Sequence, residues 1–120
     1  MLNLDTHVLV ALATGAVSQE EYACVVNQRL AISDIVLWEL AKLVEKKRLL
    51  LDFDSSEFRT WLMRLTIVPI TLGIARQSTR LDFTSDPADE IIAATSIVEK
   101  IPLLTRDRRI RKSRMVPLAL

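Results

Sequence analysis

Asp86-Pro87-Ala88-Asp89-Glu90-Ile91-Ile92-Ala93-Ala94-Thr95-Ser96-Ile97-Val98 opens with a helix start signal and continues as a run that is apolar nearly all round. Asp86 stands where an N-cap acid belongs, Pro87 at the first helical position has no N–H to leave orphaned, and Asp89 at the third faces the positive end of the helix. A helix without a polar face must be enclosed by protein on most sides. Just beyond it, Pro102-Leu103-Leu104-Thr105 has the composition of a short buried strand. A buried helix that hands the chain to a buried strand is the unit of a parallel sheet covered by helices.

The same alternation extends toward the N-terminus. Residues 1–4 form a strand candidate closed by Asp5, and residues 8–13 a helix closed by Thr14-Gly15. Residues 20–29 suit a helix, 30–33 a second strand, and 35–47 an amphipathic helix that follows Asp34. Ser55 and Ser56 cap a helix through about residue 65, with Phe58, Trp61, Leu62 and Leu65 at three-to-four spacing. Residues 67–70 make a weaker strand and 72–81 a helix. On the C-terminal side a loop and short helix over 106–112 lead to a last strand at 115–118, where Pro117 suits a sheet edge. The expected fold class is α/β, a parallel sheet with helices on both faces, in which ligands bind beyond the carboxyl ends of the strands.

Length and composition agree with one such unit. The chain has 120 residues, half of them apolar and 26% charged, which predicts a single domain over 1–120 able to bury most of its unfolded surface. The formal charge of +1 advertises neither a nucleic-acid nor a membrane partner in bulk. Its distribution is uneven, because residues 106–120 hold six of the 16 basic groups and one of the 15 acids. No targeting or membrane-spanning segment is expected: the apolar stretch 8–17 is too short to span a bilayer and has no charged flank. Cys24, the only cysteine, lies in an apolar run and predicts a buried structural thiol in a reducing cytoplasm.

Four acids fall at strand ends or early in the helices that follow: Asp5, Glu39, Asp89 and Asp107. They lie 34, 50 and 18 residues apart, so only the fold can bring them together. Each also has a plainer role open to it. Asp5 suits a turn, Glu39 a solvated helix position, Asp89 an answer to the helix dipole, and Asp107 a helix cap or a partner of Arg108 or Arg109. Glu39 stands out because Val36, Leu37, Trp38, Leu40 and Leu43 around it are apolar. With one histidine and one cysteine a zinc site is not expected, whereas clustered carboxylates suit the hard ions Mg²⁺ and Mn²⁺.

Leu4-Asp5-Thr6-His7, Ile32-Ser33-Asp34-Ile35-Val36-Leu37-Trp38-Glu39-Leu40, Asp86-Pro87-Ala88-Asp89-Glu90-Ile91-Ile92-Ala93-Ala94-Thr95 and Leu104-Thr105-Arg106-Asp107 resemble, in order, the four signature blocks of PIN-domain ribonucleases. More narrowly they resemble the VapC-like toxins of bacterial toxin–antitoxin pairs. The resemblance implies a three-layer α/β/α PIN-like fold with a central parallel sheet and a Mg²⁺- or Mn²⁺-dependent endoribonuclease. It implies that Asp5, Glu39, Asp89 and Asp107 are the catalytic and metal-binding acids, with Thr6, Ser33 and Thr105 as polar support. Asp86, in the same block as Asp89, is assigned to the helix cap, and His7 is left outside the site. The resemblance also implies a homodimer and a cognate antitoxin whose amphipathic segment docks in an apolar groove.

Arg106, Arg108, Arg109, Arg111, Lys112 and Arg114 are candidates for RNA-phosphate contact, with a solvated face or an acidic partner as competing uses of the charge. Trp38 and Trp61 fit apolar helical patterns and are expected as core or interface anchors rather than base-stacking platforms. Two rivals remain for the whole chain. A doubly wound phosphatase also puts an Asp after its first strand, but Asp5-Thr6-His7 lacks the neighbouring acid it needs. The other is a catalytically inactive PIN-fold module that binds RNA or protein.

Overall fold

The structure, a computed structural model, describes residues 1–120. Four short parallel strands, β1 (Leu2–Leu4), β2 (Leu30–Ser33), β3 (Thr66–Val68) and β4 (Leu103–Leu104), form one sheet in the order β3-β2-β1-β4. Their register sets Leu2 beside Leu30, Asn3 beside Ala31 and Leu103, and Ile32 beside Ile67. The chain first builds outward through β2 and β3, then returns to put β4 on the other side of β1. The topological switch therefore lies between β1 and β4, where the carboxyl ends of a parallel sheet open a crevice.

Seven helices connect and cover these strands: α1 (Thr6–Thr14), α2 (Gln19–Val25), α3 (Ile35–Glu45), α4 (Ser56–Met63), α5 (Leu72–Ser78), α6 (Pro87–Glu99) and α7 (Arg108–Arg111). Side chains alternate across the sheet and divide the core. Leu2, Leu4 and Ile32 pack with Val8 and Leu9 of α1, Val36 and Leu40 of α3, and Ile110 of α7. Ala31 and Val68 pack with Ile74 of α5 and Ala94 of α6. Asn3 is wholly buried, and its amide donates to Ser96 Oγ at 2.9 Å and to the Ile92 carbonyl at 3.3 Å, which ties α6 to β1. No helix is long and apolar enough to cross a membrane.

Helix ends follow local chemistry. Gly15, at φ 75°, closes α1 in the left-handed region as expected from Thr14-Gly15. Ser18 and Glu21 form a reciprocal capping box that starts α2 one residue before the expected position. That helix stops at Val25 instead of running to residue 29, because Asn27 turns the backbone to φ 61°. Lys47, at φ 58°, similarly limits α3 to Glu45. The expected last strand at 115–118 reduces to one parallel bridge, Leu103 to Leu118. There the Leu103 amide donates to the Pro117 carbonyl at 2.8 Å, and the Ala119 amide donates to the Leu103 carbonyl at 3.0 Å. Pro117 does lie at the sheet edge, where its missing N–H costs no ladder bond.

Cys24 is only partly buried, with its thiol 3.9 Å from the Ala119 carbonyl. Trp61 packs against the main core as expected, whereas Trp38 is 54% exposed and is no core residue.

Candidate active site

Asp5 stands at the junction of β1 and α1, where its amide still donates to the Leu104 carbonyl at 3.1 Å. Its side chain is almost wholly buried. One carboxylate oxygen accepts from the Thr6 amide at 2.8 Å and the other from the Thr105 hydroxyl at 2.5 Å. Burial pushes this carboxyl upward from its ordinary pKa, the two hydrogen bonds oppose that shift, and the charge of Asp107 adds to it.

Asp107 follows β4 and caps α7, its Oδ1 accepting from the Arg109 amide at 2.8 Å and the Ile110 amide at 3.1 Å. Its own amide donates to Thr105 Oγ1 at 3.0 Å. The Thr105 hydroxyl thus ties Asp5 to the backbone of Asp107 across the switch point.

Glu39 lies in the second turn of α3, half-buried, and accepts a hydrogen bond from the Thr6 hydroxyl. Burial raises its pKa first, with the charges of Asp5 and Asp86 contributing in the same direction. Asp89, in the first turn of α6, accepts from Ser85 Oγ at 3.1 Å. Its pKa is pushed up to about 6 by burial, then by the charge of Asp5 and further by those of Glu39 and Asp107. Four carboxylates from β1–α1, α3, α6 and β4–α7 therefore share one electrostatic neighbourhood centred on Asp5.

Among the supporting residues, Thr6 and Thr105 each bind an acid of the group. Ser33 does not: it is buried at the end of β2 and accepts from the Ile35 amide at 3.3 Å, which braces the start of α3. Asp86 holds the N-cap position of α6 but its side chain makes no capping hydrogen bond. It is exposed instead on the wall of a cleft of about 540 Å³ beside Glu39, which Thr6, His7, Trp38, Lys42, Lys46 and Arg48 also line.

The C-terminal basic residues divide in use. Arg106 is committed to Glu21 by two hydrogen bonds of 2.8 and 2.7 Å and to the Ala16 carbonyl at 3.0 Å. Arg109 reaches the Thr84 carbonyl at 3.4 Å and Arg111 the Thr105 carbonyl at 3.3 Å. The side chains of Arg108, Lys112 and Arg114 are exposed and make no hydrogen bond within the chain.

Ser85 and the cleft residues Trp38, Lys42, Lys46 and Arg48 carry no motif that singles them out. The one signal for the cleft set is the spacing of Trp38, Lys42 and Lys46, four residues apart on one helical row.

The donor set is all oxygen, carboxylates with hydroxyl support, which matches a hard divalent ion rather than a soft one. No three acids stand close enough to enclose an ion by themselves. An ion held there would take one or two of these carboxylates and complete its shell with waters and a substrate phosphate, as Mg²⁺ does.

Known proteins resemble this chain in sequence and in fold. Residues 3–114 match the family model described as PIN domain. Ribonuclease VapC22 of Mycobacterium tuberculosis is 37% identical over 91 residues, spanning 71% of this chain and 68% of that protein. A toxin–antitoxin complex from Klebsiella pneumoniae superposes with a TM-score of 0.75 at 21% identity, covering 100% of this chain and 98% of its counterpart. VapBC2 from Rickettsia felis, solved bound to a DNA fragment from its promoter, gives 0.70 at 21% identity, covering 98% and 97%. Those two structures share the fold. With its strand order, its four signature blocks and a family match over nearly all its length, the chain belongs to the PIN-domain family.

Proposed function

We propose that the protein is an endoribonuclease that hydrolyses RNA phosphodiester bonds and acts in the cytoplasm as the toxin of a toxin–antitoxin pair. The observation that carries the chemistry is the approach of Asp5, Glu39, Asp89 and Asp107 to one another around the switch point, where burial first, and then the charges of Asp5, Glu39 and Asp107, push Asp89 up to a pKa of about 6. A structural carboxylate gains nothing from three like charges, whereas a cation site needs them. A Mg²⁺ or Mn²⁺ ion held by Asp5, Glu39, Asp89 and Asp107 would supply the charge that makes water a nucleophile at neutral pH and steadies the departing oxygen.

The chain's own groups do the positioning. Thr105 and the Thr6 amide fix both oxygens of Asp5, the Thr6 hydroxyl fixes Glu39, Ser85 fixes one oxygen of Asp89, and α7 fixes one oxygen of Asp107. Each acid is left with lone pairs for a hydrated ion. Hydrolysis is a single displacement at phosphorus: a water oxygen forms the new bond, the bond to the leaving oxygen breaks, and no covalent enzyme intermediate arises. Ser33 supports the site indirectly through α3. Arg108, Arg109, Arg111, Lys112 and Arg114 contribute outer contacts to the RNA backbone.

The partners are a second copy of the chain and a cognate antitoxin. The similarity to VapC22 and the shared fold of toxin–antitoxin complexes support this, as does an apolar groove of about 190 Å³ between α3 and α4, lined by Leu37, Leu40, Ala41, Phe53, Phe58 and Leu62. Its shape and composition suit one face of an amphipathic helix.

The test is cleavage of labelled single-stranded RNA with Mn²⁺ or Mg²⁺. Wild type should cut, EDTA should stop it, and Asp5→Asn should be inactive with its fold intact. Metal-independent cutting, or full activity in Asp5→Asn, overturns the assignment.

A further inference from the structure

We propose that the RNA strand reaches the four acids along α3, with its phosphates on Lys42, Lys46 and Arg48 and a base on the exposed ring of Trp38. The inference rests on the endoribonuclease assignment above and names the path its substrate takes.

Four acids at one point repel a polyanion, so an RNA-cutting site needs cations beside it to hold the backbone. The cleft that opens at Glu39 has them, and it contains none of the basic residues beyond position 105. Trp38, Lys42 and Lys46 recur every fourth residue, a repeat of roughly 6 Å along the helix axis, on the row next to that of Glu39 and Leu43. The chain holds only two ion pairs, Lys42 with Glu45 and Arg106 with Glu21. Lys46 and Arg48 are therefore exposed and unpaired. The Lys42–Glu45 contact, 3.4 Å between side chains 45% and 69% exposed, is weak enough to yield to a phosphate.

Trp38 supplies the second requirement. Its ring stays half in solvent and lies under the Lys42 ammonium, 5.8 Å from the centroid. Single-stranded RNA is recognised by stacking unpaired bases on such rings while cations follow the backbone. Trp38, Pro87 and Ala88 also border a second, mostly apolar recess of about 470 Å³, lined as well by Ile35, Ile70, Ile91 and the single acid Asp34. The trough thus continues past the ring into an apolar space suited to the next base. A strand that offers a phosphate and a flat base at each step matches this order of cation, cation and ring leading to carboxylates.

The experiment measures binding of the full chain to a short fluorescent single-stranded RNA in EDTA across a salt series, so that no cleavage occurs. Lys46→Gln/Arg48→Gln changes two exposed positions and should reduce the salt slope by about 1.4, at about 0.7 per lost contact. Trp38→Leu should weaken binding about tenfold with the slope unchanged. Melting curves like that of wild type establish that both variants fold.

An unchanged slope in the double variant overturns the path. So does a slope that falls only in Arg108→Gln/Lys112→Gln, which would lay the strand across the C-terminal segment. Poly-glutamate of equal charge that binds as tightly, with the same loss in Trp38→Leu, overturns RNA as the occupant. Cleavage with Mn²⁺ at saturating RNA is scored separately. Wild type that binds along α3 yet cuts nothing overturns the nuclease assignment alone, and wild type that cuts while both cleft variants bind like it overturns the path alone.

Discussion

Asp86 and Asp89 stand three positions apart on one helix start and do different work. Asp89 is half-buried among three other carboxylates, while Asp86 is exposed, without the capping bond that its place in the sequence suggests. Because the folded pKa of Asp89 lies near 6 against an ordinary 3.8, its share of stability is complete below about pH 4 and is lost as pH rises through 6. Asp89→Asn removes the charge without changing shape. At pH 7 without metal it should raise the melting temperature by a few degrees, of the order that about 1 kcal/mol brings in a small domain. At pH 4 that gain should vanish, and RNA cleavage should be lost at any pH. Asp86→Asn should leave melting and cleavage nearly as they are, since no capping bond is lost and Asn caps about as well as Asp. If Asp86→Asn is the inactive variant and Asp89→Asn cuts RNA, the third acid has been assigned to the wrong residue.

Elements were legible where a cap or a strand end is written in side chains. Asp86-Pro87 marks the start of α6, Ser55 that of α4 and Gly15 the end of α1. Asn27 is of a type that takes positive φ readily and so carries a stop signal, whereas Lys47, which adopts the same conformation, looks in the sequence like an ordinary helix residue. The Ser18-x-x-Glu21 capping box was available to sequence reading, but the partner of Glu21 was not. Arg106 lies 85 residues away and reads as one more basic residue of the C-terminal cluster, yet it ties the start of α2 and the Ala16 carbonyl to the end of β4. That bond holds Glu21 down to a pKa of about 2, against an ordinary 4.5. Its stabilisation is therefore present above about pH 4.5 and fades as pH falls toward 2. Arg106→Gln should cost about 1–2 kcal/mol at pH 7, a value kept small because the guanidinium is partly exposed. Urea melts should show the deficit at pH 7 and a much smaller one at pH 2.5. An equal deficit at both would assign the loss to the stem of Arg106 rather than to its charge.

At the scale of the whole molecule, the strand order brings four distant acids into one electrostatic neighbourhood, the site proposed above. Sequence could name Asp5, Glu39, Asp89 and Asp107 because strand ends and block order locate them. It could not show that Thr105 bridges two of them, nor that Trp38 leaves the core, since both depend on how α3 and the β4–α7 turn pack around β1. The surface left over is apolar enough to call for partners, with Leu50 95% and Met63 85% exposed in addition to the apolar groove between α3 and α4. Leu62→Lys should abolish binding of the proposed antitoxin while RNA cleavage persists, and light scattering should find the free chain dimeric. A strict monomer that binds no such protein contradicts the partner assignment. On the proposed reading the acids also make the native state an ion-binding state that the unfolded chain cannot imitate, because their spacing of 34, 50 and 18 residues disperses them on unfolding. A divalent ion at 100 times its dissociation constant should then stabilise by about 2.7 kcal/mol, or about 10 °C in melting temperature for a domain of this size. At pH 5 the ion must displace the proton that Asp89 holds, so the gain from Mg²⁺ or Mn²⁺ should be smaller than at pH 7.5. Asp89→Asn should remove most of the gain and all of its pH dependence. Scanning calorimetry with and without Mn²⁺ at the two pH values decides it, and a gain that is equal in wild type and variant would place the ion somewhere other than these four carboxylates.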